Sequence, residues 1–80
     1  MNKDFMRKYC LVCDWYAENN FLSFEDNLVF EMSIKSIDDL LEYRAGSNRP
    51  EKYDNKINAL MTIMNNIGRD FHEWPLVRGD

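Results

Sequence analysis

Apolar residues recur at helical spacing from the start of the chain. Phe5, Tyr9, Val12, Cys13 and Tyr16 fall on one face of a helix expected over residues 3–19. Met6, Cys10 and Ala17 widen that face, and Asn19-Asn20 supplies a stop that tolerates the left-handed conformation. Leu11 and Trp15 lie off the stripe, four residues apart, close enough to touch each other.

The next stretch carries two opposed signals. Ser23 followed by Asp26 resembles a capping box with Asp in place of Glu or Gln, and predicts a second helix from residue 24 to about 33. Yet Leu28, Phe30, Met32 and Ile34 alternate with Val29, Glu31, Ser33 and Lys35, which apart from Val29 is a strand pattern. A hairpin across residues 21–34, turning at Glu25-Asp26-Asn27, is the α+β alternative. The helix is favoured because an isolated hairpin is marginal and no third strand is visible.

Ser36 then reads as the N-cap of a third helix over residues 37–45, with Asp38 and Asp39 in its first turn. Ile37, Leu40, Leu41 and Arg44 share a face, and Gly46 fits the position after the helix end. One helix spanning residues 24–45 is disfavoured, because its apolar residues would scatter around the whole circumference. A break near Lys35 is the simpler expectation.

A last helix is expected over residues 50–67, opening at Pro50. Tyr53, Ile57, Leu60, Met61, Met64 and Ile67 form its stripe, and Gly68 ends or bends it. Phe71, Trp74, Leu76 and Val77 follow in a tail, residues 69–80, where Pro75 favours extended backbone at Trp74. The pattern therefore predicts a mainly α single domain, a bundle of about four short helices.

Composition narrows this little. With 80 residues there is room for one domain, and its many rings can build a compact core. No apolar run approaches the ~20 residues of a membrane span, and the charged N-terminus lacks a signal-peptide core, so a cytoplasmic location with reduced thiols is expected. Charge is more informative. The net charge is −4, and residues 23–44 hold the whole surplus, six acids against two bases. That balance argues against direct nucleic-acid binding and favours a basic protein partner.

Candidate chemistry is sparse. Cys10 and Cys13 form a CxxC, but in mid-helix, without the helix N-terminus that activates a thiol or the further ligands of a zinc site; two core residues are the expectation. His72, the one histidine, has no nucleophile beside it, and the three glycines cannot make a phosphate loop. Arg78-Gly79-Asp80 resembles the integrin-read adhesion tripeptide, a match too short to carry weight. No catalytic residue, metal or cofactor is expected.

The functional expectation is a non-enzymatic protein-binding module. Its acidic candidates are Glu25, Asp26, Glu31, Asp38, Asp39 and Glu42; its apolar ones are Leu11, Trp15 and Trp74, which the tail alternatively covers by folding back. In its sharper form it is an antagonist laid on a basic groove of a nucleic-acid-handling protein. In size and charge alone it is similar to small acidic inhibitors of phages and mobile elements, such as anti-restriction and anti-CRISPR proteins. A homo-oligomeric assembly subunit is the alternative, and a CxxC redox or metal protein ranks below it.

Overall fold

The computed structural model describes residues 3–18 and 21–76, so the Asn19-Asn20 stop, Val77 and the Arg78-Gly79-Asp80 tripeptide lie outside the described residues. Three helices follow one another: α1 (Lys3–Glu18), α2 (Phe24–Ala45) and α3 (Glu51–Gly68). Neighbours run antiparallel. Tyr9 meets Asp38 while Tyr16 meets Asn27, and Arg44 at the end of α2 meets Asp54 near the start of α3.

Two expectations about the middle of the chain are corrected. Among the described residues there is no strand, so the hairpin over residues 21–34 does not form. Nor does the chain break near Lys35. Residues 24–45 are one helix, giving three helices among the described residues where four were expected, and Ser36 is an exposed mid-helix residue rather than an N-cap.

The cause is a property of helices with two apolar faces. Residues two apart on a helix lie about 200° apart, on nearly opposite sides. The run Leu28, Phe30, Met32, Ile34 therefore alternates outward and inward. Leu28 and Met32 are exposed, Phe30 is buried and Ile34 is half-buried. A scattered apolar pattern, which argued against a long helix, here marks one that is apolar on both sides.

The start of α2 follows its sequence signal. Ser23 is extended and its Oγ accepts from the Asp26 N–H at 3.1 Å, while Glu25 and Asp26 oppose the positive end of the helix dipole. Gly46 follows the last residue of α2, its N–H donating to the Tyr43 carbonyl at 3.2 Å, and Pro50 immediately precedes α3.

Tyr9, Val12 and Trp15 of α1, Phe30 and Ile37 of α2, Ile57 and Met64 of α3, and Trp74 beyond it make the core. Trp15 sits at its centre. Its ring lies 5.0 Å from Trp74, nearly perpendicular, and 5.7 and 5.6 Å from Phe30 and Phe71. The close backbone pairing is between α2 and α3, whereas α1 is held through large rings. The radius of gyration is 12.8 Å, above the about 11.6 Å of a compact chain this long. Extents of 40 × 28 × 18 Å describe a plate, with few residues screened from water on all sides.

Candidate partner-binding surface

The apolar candidates separate. Trp15 and Trp74 are core residues, 6% and 2% exposed, and offer no surface to a partner. The cause is the tail, which turns back after α3: Phe71 N–H donates to the Gly68 carbonyl at 2.8 Å and Trp74 N–H to the Phe71 carbonyl at 3.2 Å. The Trp74 ring then lies against Gly68, where any Cβ would overlap it, and its Nε1 donates to Asn65 Oδ1 at 2.7 Å. This return was one of the two expectations for the tail. It covers Trp15 but not Leu11, which stays exposed on α1.

The acidic candidates separate too. Asp26 lies on the inner side of the first turn of α2 and is half-buried. Glu25, Glu31, Asp38, Asp39 and Glu42 are exposed. Glu31, Asp38 and Glu42, seven and four residues apart, follow one flank of the helix. Asp38 also anchors the fold, its carboxylate accepting from the Tyr9 hydroxyl at 2.7 Å. Burial, then that carboxylate, raises the Tyr9 pKa. Tyr16 is raised likewise by burial, with the Glu31 charge adding to it.

Three bases are already paired. Arg44 turns inward to Asp54 at 2.7 Å and holds that carboxyl below its ordinary pKa. On α1, Arg7 and Lys8 both close on Asp4, at 3.1 and 3.2 Å. Lys35 is the only base of α2 besides Arg44.

Reading the sequence missed the apolar part of this face. Phe24, Leu28 and Met32, at four-residue spacing, are 78%, 42% and 60% exposed, and Tyr43 farther along is 62% exposed. They run along the side of α2 opposite Phe30, Ser33 and Ile37. The strand-like alternation was their signal, once read on a helix. Phe30, by contrast, is fully buried.

Other chemistry is poorly provided for. Cys10 is exposed rather than in the core as expected, and Cys13 is half-buried, both inside α1 and neither in a disulfide. Burial pushes the Cys13 thiol up, against the direction that activates a nucleophile. His72 is exposed past the end of α3. Among the described residues no three His, Cys, Asp or Glu side chains converge on a metal position, and no helix is long and apolar enough to cross a membrane.

No protein-family model matches the chain, and no curated protein or solved structure shows significant similarity to it. The functional reading rests on the surface of α2.

Proposed function

We propose that the protein is a non-enzymatic binding module whose outer α2 surface engages a basic protein, and that it acts as an antagonist of a nucleic-acid-handling protein by covering a basic site. The observation that carries this reading is the exposure of Glu25, Glu31, Asp38, Asp39 and Glu42 on one helix whose second arginine-or-lysine charge, Arg44, is already taken by Asp54. Surfaces of one sign steer oppositely charged partners and speed their encounter. A second copy of the chain is a weaker partner, because two such faces repel.

The test is affinity capture from native host lysate at low and high salt, beside a variant carrying Asp39→Lys and Glu42→Lys, which leaves the Tyr9–Asp38 contact in place. A basic nucleic-acid-handling partner, released by salt and lost in the variant, is the expected result. Capture insensitive to both changes contradicts the electrostatic reading. Recovery of the protein alone as a dimer favours assembly instead.

A further inference from the structure

The outer face of α2 is more than acidic, and this inference rests on the reading above. Its N-terminal half is an apolar ridge of Phe24, Leu28 and Met32, and its C-terminal half gathers Asp38, Asp39 and Glu42 around exposed Tyr43. At 1.5 Å per residue the ridge and acids are about 16 Å apart, Leu28 to Asp39, and the whole strip from Phe24 to Tyr43 is about 29 Å long. Large apolar side chains aligned in this way on a small protein mark a contact surface.

We infer that this strip docks a basic amphipathic helix of a partner protein, which packs as a fourth helix against the outside of α2. Three observations select that occupant. The strip is the straight ridge of one helix, so a helix alongside matches it for its full length, seam against seam. The inner side of α2 is already filled by Phe30, Ser33 and Ile37, leaving a thin plate with one helix apolar on both sides, an arrangement that suits a buried helix. Charge decides the rest. The flanks of the strip carry Glu25, Glu31, Asp38 and Glu42, with Asp39 along its line, and on α2 itself Lys35 alone opposes them, four residues from both Glu31 and Asp39. A lysine- or arginine-flanked seam is complementary, while a second copy of α2 or an anionic lipid surface is repelled.

The division of labour is specific. Phe24, Leu28 and Met32 lose water on docking and hold the complex, so their truncation acts on dissociation. Asp38, Asp39 and Glu42 act on encounter and on salt dependence.

The probe is a synthetic helical peptide of about five turns, with a leucine seam and lysine flanks, titrated into isotopically labelled protein. A control peptide has glutamate in place of lysine. The lysine peptide should perturb backbone amides of α2 at outward positions, and Leu28→Ser or Met32→Ser should weaken it about tenfold or more. Both positions are exposed, so these variants should keep the circular dichroism of the parent. The glutamate peptide should bind at least about tenfold more weakly. The inference is overturned by absence of binding, by equal binding of both peptides, by perturbations confined to α1 or α3, or by a dimer of the protein alone that Met32→Ser dissociates. If the peptide fails while the double lysine variant still loses a basic partner from lysate, helix docking falls and the acidic reading stands. If both fail, both fall.

Discussion

At the residue scale, two contacts fix much of the fold and each gives a measurable outcome. Tyr9 reaches across from α1 to donate to Asp38 at 2.7 Å. Folding raises its pKa, so the native state holds the phenolic proton more tightly than the unfolded chain does. The associated stability is complete below the ordinary tyrosine value of 10.0 and is lost as pH rises beyond it. Urea unfolding from neutral to strongly alkaline pH should show that decline, and Tyr9→Phe should reduce its slope while costing about 1 kcal/mol at neutral pH. The second contact is the Trp74 ring on Gly68, where space rather than backbone conformation demands glycine. Gly68→Ala should cost about 1–3 kcal/mol by overpacking, and Trp74→Ala about 3–5 kcal/mol, both read from unfolding midpoints.

At the scale of elements, the continuity of α2 makes opposite predictions for two serines. Ser23 caps the helix, so Ser23→Ala should cost about 1 kcal/mol. Ser36 lies in mid-helix, so Ser36→Ala should be neutral or slightly stabilising. Lys35→Pro should cost about 3 kcal/mol or more, since it removes a hydrogen bond within a continuous helix. A broken helix would reverse the Ser36 result and tolerate Pro at position 35. The Arg44–Asp54 pair ties α2 to α3, and its contribution, present at neutral pH, should fade as acid protonates Asp54 below 3.8.

These same elements show what the sequence discloses. The stripes of α1 and α3, with Tyr9, Val12, Ile57 and Met64, are visible because one apolar face meets one core. So is the Ser23 cap, a local signal. The length of α2 is hidden because its outward residues, Phe24, Leu28 and Met32, are as apolar as its inward ones, so periodicity does not say which face is buried. The burial of Trp15 and Trp74 is only half visible, because it depends on a chain reversal after Gly68. The acidic residues of the surface are read directly, but their ridge of apolar neighbours emerges only with the helix that aligns them.

At the scale of the whole molecule, α2 serves two purposes. Its inner face, with Phe30 and Ile37, joins α1 to α3, while its outer face carries Phe24, Leu28, Met32, Asp39 and Glu42 exposed to solvent, with Asp38 at its edge held by Tyr9. The two functions should therefore separate. A Leu28→Ser, Met32→Ser double variant should unfold within about 0.5 kcal/mol of the parent, as surface changes usually do, yet lose its partner.

The most direct test of this division is site-specific photo-crosslinking in native host lysate. A benzophenone side chain replaces Met32 in one sample and Ile63, exposed on α3, in another. The account predicts a single adduct with a basic protein from position 32, absent from position 63 and suppressed by Asp39→Lys and Glu42→Lys together. Adducts of equal yield from both positions, or from position 63 alone, would contradict it.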